Sequence, residues 1–214
     1  LLRFKRVNVA DYDYLFHLAG NPYIPPSVEN PDFDMYENFQ TTFLLLEAMR
    51  AVGKENAPRI IYSSSAAVYG NPIHLPTAES DPTVPISPYG VSKLASERYI
   101  DVFSKIYGLA GVTVRFFSVY GPRQRKQVVF DLLRKLRANP DRLEIIGDGS
   151  QVRDFAFVTD VVQALLLAAA VAPGNGEVYN VASDISHSIK ELALTWAEVC
   201  GLNPEIVYTG SVRP

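Results

Sequence analysis

Residues 59–70 read Arg-Ile-Ile-Tyr-Ser-Ser-Ser-Ala-Ala-Val-Tyr-Gly, a short apolar run followed by three serines. The apolar part predicts a strand buried on both faces, and the serines then lie at its carboxyl end. Open α/β sheets bind their ligands beyond the carboxyl ends of the strands. Ser65 is therefore a candidate for holding a substrate hydroxyl, and the alternative is a loop serine that caps a turn.

A proline-rich loop separates this strand from Tyr89-Gly-Val-Ser-Lys93. On a helix, residues four apart lie on one face, about 6 Å apart along the axis. Because a nearby ammonium favours the ionised phenol, Lys93 is expected to lower the pKa of Tyr89 from its usual value of about 10. Tyr89 is thus a candidate general base, although any amphipathic helix with an exposed lysine can produce the same spacing.

Strands and helices alternate on both sides of these segments. The expected strands cover 14–19, 60–62 and 112–117, and the expected helices cover 35–52 and 89–107. The succession of strand, crossover helix and strand indicates a doubly wound parallel sheet of the α/β class. Gly20, Ser65 and Ser118 follow three of these strands and would lie at the ligand-binding edge of the sheet.

The second half of the chain is less regular. Its expected helices cover 127–138, an alanine-rich stretch after residue 160 and a stretch after Ser188, and its expected strands cover 143–146, 152–158 and 177–182. Thr159 or Asp160 is a candidate N-cap, and Ser188-Ile-Lys-Glu191 has the spacing of a capping box. Proline clusters at 22–31 and 72–88 predict two surface loops.

Composition narrows the class of protein. The 214 residues, 48% of them hydrophobic, suffice for one large domain or two small ones, and a net charge of −3 gives no footprint for nucleic acid. The one cysteine, Cys200, allows no internal disulfide and fits a reducing compartment. No apolar stretch approaches the roughly 20 residues of a membrane span. The three histidines lack the paired spacing of a metal site. We therefore expect a cytoplasmic protein without metal, nucleic acid or membrane partners.

Further motifs in the same order resemble those of the extended short-chain dehydrogenases/reductases, and within them the nucleotide-sugar 4-epimerases similar to UDP-glucose 4-epimerase. The segments that carry this resemblance, besides the two runs quoted above, are Phe16-His-Leu-Ala-Gly20, Ser27-Val-Glu-Asn-Pro31, Asn38 before Phe43-Leu-Leu-Leu-Glu-Ala-Met49, Arg115-Phe-Phe-Ser-Val-Tyr-Gly-Pro-Arg123, Gly147-Asp-Gly-Ser-Gln-Val-Arg-Asp-Phe155, Thr159-Asp-Val161 and Tyr179-Asn-Val181. The resemblance implies a truncated Rossmann-like dinucleotide-binding domain over 1–120. Substrate-binding segments would cover 121–214, of which 152–183 return to the Rossmann sheet.

The resemblance also implies a reaction, the NAD-dependent epimerisation of a UDP-hexose by transient oxidation at C4. Tyr89 would remove the proton of the 4-hydroxyl, Lys93 would support the phenolate and bind the nicotinamide ribose, and Ser65 would hold the reacting oxygen. The implied cofactor-binding residues are Ala19, Gly20, Asn38, Ser63, Tyr89 and Lys93, and the implied substrate-binding residues are Ser118, Arg153 and Arg213. Relatives pair through the helices that correspond to 35–52 and 89–107, which implies a homodimer.

Several of these assignments have alternatives. Asn38 could be an exposed helix position. Arg153 and Arg213 would grip a diphosphate with the guanidinium fork, or they could form surface ion pairs, for Arg153 with Asp148 or Asp154. Ser118 stands where many relatives carry an asparagine, and its shorter side chain has no amide.

Two alanines help to choose among reactions. Ala66 and Ala67 stand where the related nucleotide-sugar 4,6-dehydratases carry an Asp-Glu pair that transfers protons. Alanine cannot transfer a proton, so dehydration is disfavoured.

A glycine-rich loop is missing from the motif series. No three glycines satisfy G-x-G-x-x-G, the loop with which family members hold the dinucleotide pyrophosphate. We expect the chain to begin after that element and to stop before the C-terminal tail. Alternatives to the epimerase are therefore a nucleotide-sugar-binding fragment without turnover, a structural partner that pairs through its helices, and a piece of a longer epimerase. A sheet without its first strands has an open edge, which predicts oligomerisation or marginal stability.

Overall fold

The computed structural model describes residues 8–210. They form two compact units. The first contains the chain up to Phe116 together with Val161–Val181, and the second contains Phe117–Asp160 and the chain from Ala182 onward. The division of roles that we expect at residue 120 stays a prediction.

The first unit is built on a parallel sheet with the strand order β1-β2-β3-β7. These strands are β1 (Tyr14–His17), β2 (Arg59–Ser65), β3 (Gly111–Phe116) and β7 (Asn175–Val181). The two central strands are the most buried, since Ile60, Ile61 and Val112 are fully inaccessible to solvent. The predicted parallel α/β fold is confirmed.

Helices of the first unit begin where local signals place them. They are α1 (Ile24–Glu29), α2 (Pro31–Asp34), a π-helical segment (Met35–Gln40) that continues into α3 (Thr41–Val52), and α4 (Pro88–Tyr107). The Ser87 hydroxyl caps α4 by accepting from the Gly90 amide at 3.1 Å, and Gly108 ends it with a φ of 68°. The surface loop predicted over 22–31 is wrong, because α1 occupies it and its two prolines lie in the first turn, where no amide is needed.

The core of the first unit lies between α3, α4 and the sheet. Its buried members are Val9, Leu45, Leu46, Met49, Ile60, Tyr62, Ile100, Phe103 and Leu109. Strand β1 pairs only with β2 within the described residues, and Tyr14 and Phe16 on it are 50% and 40% exposed. This open edge is the feature from which we predict oligomerisation or marginal stability.

The second unit has two small sheets. One consists of β4 (Ser118–Tyr120), β6 (Val152–Phe157) and β8 (Ser186–Ser188), and the other of β5 (Arg142–Ile145) and β9 (Glu205–Tyr208). Helices α5 (Gln127–Ala138) and α7 (Ile189–Val199) pack over a core that includes Leu132, Leu136, Leu143 and Ala193. The predicted capping box of Ser188 and Glu191 is confirmed.

Helix α6 (Val158–Val171) leads from β6 of the second unit back to β7 of the first. The N-cap predicted at Thr159 or Asp160 is wrong, because both residues lie inside the first turn. At the other end, Arg59 Nη1 donates to the carbonyl oxygens of Ala169 and Ala172 at 3.0 and 2.7 Å. This guanidinium satisfies backbone acceptors that the end of a helix leaves unpaired.

Candidate active site

Tyr89 and Lys93 lie on one buried face of α4, with exposures of 7% and 5%. Lys93 Nζ donates to the Ser63 carbonyl oxygen at 2.9 Å. The same ammonium lies 4.9 Å from the centroid of the Tyr62 ring and 5.9 Å from that of the Tyr89 ring. The four-residue spacing therefore brings a phenol and an ammonium together at the carboxyl end of β2.

Electrostatics at Tyr89 differ from the sequence-based expectation. Burial raises the pKa of Tyr89; the Ser65 hydroxyl acts in the opposite direction, and the negative charge of Asp34 raises the pKa further. The predicted lowering by Lys93 is wrong for this structure, because desolvation of the phenol dominates and Lys93 donates to the Ser63 carbonyl instead. The Tyr89 phenol consequently holds its proton at neutral pH.

Ser65 combines the two roles considered for it. Its hydroxyl accepts from the Ala67 amide at 3.2 Å and caps the 3₁₀ turn at Ala66–Tyr69, which is the turn-capping alternative. It also lies beside the Tyr89 phenol. Neighbouring Ser63 donates its hydroxyl to the His17 carbonyl oxygen at 3.1 Å and thereby joins the ends of β1 and β2.

Asn38 is fully buried, so the alternative of an exposed helix position is wrong. Its Nδ2 donates to Asp34 and to the Asn21 carbonyl oxygen, whereas its Oδ1 is buried without a hydrogen-bond partner. Gly20, which follows Ala19 just after β1, has a φ of 148°, and a Cβ on it would collide with Asn38 Oδ1 and approach Lys93 Nζ to 3.7 Å. The absence of a side chain at Gly20 leaves a free acceptor and an ammonium facing the same small space.

His17 is packed against this centre and is hydrogen-bonded, as expected from its place at the end of an apolar strand. Its ring Nε2 lies 2.9 Å from Thr42 Oγ1, and the side chain is 6% exposed. Burial, together with the positive charge of Lys93, lowers the pKa of His17 to about 4. The imidazole is therefore neutral throughout the physiological range.

This depressed pKa predicts acid sensitivity. Between pH 6.5 and pH 4 the unfolded chain binds a proton at His17 that the folded chain excludes, so stability falls as the pH drops through this window. The full shift corresponds to a loss of about 3 kcal/mol, of which about 2 kcal/mol is lost by pH 5. Urea denaturation at pH 7 and pH 5 measures it. A His17→Gln variant, which has no imidazole to protonate, should lose distinctly less over that interval, and an equal loss would contradict the assignment.

Three residues with buried polar contacts, Ser27, Asp34 and Glu97, were missed by the sequence analysis. The Ser27 hydroxyl accepts from the Tyr89 amide at 3.2 Å, Asp34 binds Asn38 and Ser92, and Glu97 pairs with Arg115. Two of them had a local signal, since Asp34 precedes Asn38 by four residues and Glu97 follows Lys93 by four, the spacing of one helix face.

Arg153 and Ser118 belong to the second unit. Arg153 lines a surface cavity of about 540 Å³, and its Nη1 donates to the Val152 carbonyl oxygen at 2.9 Å. Within residues 8–210 no carboxylate lies within ion-pair distance of its guanidinium, and Asp148 and Asp154 accept from Ser150 and Ser183, so the predicted alternative of a surface ion pair is wrong. Ser118 is half-buried in β4, where it pairs with Phe155. Arg213 lies outside the described residues.

Residues 8–210 contain neither a candidate metal site nor a candidate membrane-spanning helix. No group of three or more His, Cys, Asp or Glu side chains in this range is placed to hold a metal ion. No helix in the same range has both the length and the hydropathy to cross a membrane.

Comparison with known proteins identifies the family. Residues 4–182 match the model of the NAD dependent epimerase/dehydratase family. The UDP-glucose 4-epimerase of Mycolicibacterium smegmatis is 36% identical over 198 residues, which cover 90% of this chain and 62% of that relative. The chain thus spans less than two thirds of that relative's length.

Solved structures give the same result. The crystal structure of UDP-glucose 4-epimerase from Thermotoga maritima with UDP-glucose superposes with a TM-score of 0.87 at 34% identity, covering 98% of this chain and 67% of that one. UDP-glucuronic acid 4-epimerase from Bacillus cereus, in complex with UDP-glucuronic acid and NAD, gives a TM-score of 0.86 at 29% identity and covers 98% and 67%. This chain therefore belongs to the NAD dependent epimerase/dehydratase family.

Proposed function

We propose that this chain carries the reacting centre of a nucleotide-sugar 4-epimerase that acts on a UDP-hexose. The observation that carries the proposal is the convergence of half-buried Ser65 with the buried Tyr89 and Lys93 at the carboxyl end of β2. Family membership and the similarity to 4-epimerases support it. A UDP-hexose is favoured because the relatives named above are UDP-sugar epimerases.

The residues at the end of β1 fit a nicotinamide cofactor. Ribose hydroxyls donate and accept hydrogen bonds, and this part of the site offers the unpaired Asn38 Oδ1 and the Lys93 ammonium next to the side-chain-free Gly20. Asn38, Lys93 and Gly20 would hold the cofactor there, with Ala19 and Ser63 beside them. When bound, NAD would accept a hydride from C4 of the sugar and return it to the opposite face of that carbon.

Residues of the chain itself would transfer the proton of the sugar 4-hydroxyl. Tyr89 would take the proton of the 4-hydroxyl as the C4–H bond breaks, and the same phenol would return it when the ketone is reduced. Ser65 Oγ would hold the oxygen that gains and loses this proton. Because burial keeps the Tyr89 pKa high, the Lys93 ammonium must remain protonated and close to the phenol for the phenolate to form.

The cavity of the second unit suits the nucleotide diphosphate. Its volume of about 540 Å³ lies within the usual range for small-molecule sites. Asp131 engages two cations of its wall, Arg134 and Lys135, at 2.9 and 3.2 Å. Among the described residues Arg153 has no carboxylate partner, so its guanidinium is available for a phosphate, with apolar Ile146 in the same wall for the base. Arg213 and Ser118 stay proposals for the same substrate.

A homodimer through 35–52 and 89–107 is also proposed. Aromatic rings of the two helices pack edge to face, with the centroids of Phe43 and Tyr99 5.4 Å apart. On α4, which carries Tyr99, the side chains of Val102 and Ile106 are 43% and 68% exposed. Apolar side chains in such a row are what a helix-to-helix interface buries. A cytoplasmic location is proposed alongside it, from the single cysteine.

The test measures cofactor, binding and turnover on the 214-residue chain. The purified protein is denatured, released nucleotides are identified by mass spectrometry, and UDP-glucose with added NAD is followed for UDP-galactose. Bound NAD and interconversion are expected. UDP binding without NAD or turnover would instead establish the nucleotide-sugar-binding fragment, and the absence of all three would remove the proposal.

The variant Arg153→Ala tests whether Arg153 binds the nucleotide diphosphate of the substrate. Losing a charge-assisted hydrogen bond to phosphate should weaken UDP binding by about 10- to 100-fold in calorimetry. Arg137→Ala is the matched control, because Arg137 is an exposed arginine of the same unit that does not line the cavity. Equal affinities in the two variants would remove Arg153 from the substrate site.

A further inference from the structure

Asp34 is a fully buried carboxylate at the end of α2. One oxygen accepts from Asn38 Nδ2 at 2.8 Å and the other from Ser92 Oγ at 2.8 Å. No lysine or arginine within residues 8–210 lies in ion-pair contact with it. An isolated buried carboxylate costs several kcal/mol of solvation, which two neutral donors offset only in part. Because Asp34 lies beside the reacting centre, its hydrogen bonds and its negative charge can act on the groups there.

The first effect of Asp34 is on the Asn38 amide. Asn38 Nδ2 donates one hydrogen to Asp34 and the other to the Asn21 carbonyl oxygen, at 2.8 and 3.1 Å. Both neighbours are acceptors, so the amide cannot be flipped without placing oxygen against oxygen. Asn38 Oδ1 is thereby fixed at the space beside Gly20, where it remains unpaired.

The second effect is on the charge of Lys93. Burial lowers the pKa of Lys93 to about 8, and the negative charges of Asp34 and then Glu97 oppose this. Glu97, however, is already neutralised by Arg115, whose Nη2 lies 2.6 Å from its Oε2. Asp34 is therefore the nearby carboxylate whose charge no other cation of the described chain takes up.

From these contacts we propose that Asp34 is a positioning residue of the reacting centre: it orients the Asn38 amide toward the space beside Gly20, which Lys93 Nζ also borders, and places a negative charge behind that ammonium. The effect of this positioning on catalysis rests on the proposed function, whereas its effects on Asn38 and Lys93 do not. The ionisable side chains that face Lys93 are those of His17, Asp34, Tyr62, Tyr89 and Glu97.

The test replaces Asp34 with asparagine, which keeps the shape and one acceptor but removes the charge. Lysine labelled with ¹³C at Cε reports the titration of Lys93 by NMR, and Lys93→Met assigns its signal. In Asp34→Asn the Lys93 pKa should fall by about one unit, so that at pH 8 the neutral fraction rises from about half to about nine tenths. Asp32→Asn, an exposed aspartate on the same short helix, is the matched control and should leave the titration unchanged.

The turnover rate of Asp34→Asn and its pH dependence give a second, independent measurement. A positioning role predicts a lower kcat for Asp34→Asn, with the pH profile displaced in step with Lys93, whereas simple loss of stability would leave the profile where it was. The NMR titration does not require turnover, so a wild-type chain without epimerisation would remove the proposed function and leave this inference open to its own test. An unchanged Lys93 titration in folded Asp34→Asn would overturn it.

A pair of variants keeps the inference testable if Asp34→Asn does not fold. Lys93→Met removes the cation and leaves Asp34 buried alone, so adding Asp34→Asn to Lys93→Met should raise the free energy of unfolding. The coupling between the two sites is then read from the double variant against each single one. A double variant less stable than Lys93→Met alone would show that the two charges do not support each other, and would refute the proposal.

Discussion

Replacing Arg115 with methionine is expected to lower the free energy of unfolding of the first unit by about 3–5 kcal/mol. Arg115 and Glu97 are 2% and 3% exposed, and the guanidinium donates to the carboxylate through Nε at 2.9 Å and Nη2 at 2.6 Å. Methionine fills part of the same volume but leaves the Glu97 carboxylate buried without a cation. Urea denaturation measures the loss.

The matched control is Arg50→Met on the surface of α3. Arg50 grips Glu47 with the same two-pronged geometry, both contacts at 2.8 Å, but these side chains are 44% and 35% exposed. An exposed pair is worth less than about 1 kcal/mol. Since the chemistry of the two pairs is the same, the difference between the variants measures the effect of burial. Equal losses would mean that Arg115 contributes no more than a surface ion pair.

Loss of Arg115 should also disturb the proposed reacting centre. Glu97 accepts a hydrogen bond from the Ser64 hydroxyl as well as from Arg115, and Ser64 lies between Ser63 and Ser65 in β2. Arg115 Nη1 donates to the Tyr69 hydroxyl at 2.7 Å, at the end of the turn that Ser65 caps. The buried pair therefore ties the carboxyl end of β2 to α4, the two elements that carry Ser65, Tyr89 and Lys93.

The parallel sheet and its main helices could be predicted because their signals are local. Ser87, Pro88 and Gly108 bound α4 by capping chemistry, and buried strands read as short apolar runs. A local signal was overlooked at the start of the α2–α3 helical run. Asn30 accepts from the Phe33 amide at 3.1 Å, and Pro31 occupies the first helical position, so the run begins before residue 35.

The rest of the site depends on contacts between distant parts of the chain. Asp34 and Ser92 are 58 positions apart, and no periodicity relates them. The direction of the Tyr89 pKa shift follows from desolvation, which depends on how completely the neighbouring segments cover the phenol. Sequence spacing predicted that Tyr89 and Lys93 share a helix face, but it could not weigh burial against charge.

Removing the Tyr89 hydroxyl in Tyr89→Phe is expected to lower kcat for UDP-hexose epimerisation by about 10²- to 10⁴-fold, the usual contribution of a positioned acid–base group. UDP affinity should change little, because the cavity assigned to the nucleotide lies in the other unit. Tyr107→Phe on the same helix is the matched control, since that phenol is 42% exposed and lies more than four turns from Tyr89. Comparable turnover in the two variants would remove Tyr89 from the mechanism.

The pH profile separates proton transfer by Tyr89 from a merely structural role of its hydroxyl. In the proposed mechanism the reactive form has an ionised Tyr89 and a protonated Lys93, yet the pKa of Tyr89 is raised and that of Lys93 is lowered to about 8. Because the pKa of Tyr89 lies above that of Lys93, kcat/KM of the wild type should rise with pH to a maximum above pH 8 and then decline. The pKa values read from the rising and falling sides of this profile belong to the coupled pair rather than to either residue alone. The residual kcat/KM of Tyr89→Phe should not show this bell-shaped dependence on pH. A slow variant that kept both limbs would show that another group carries the proton.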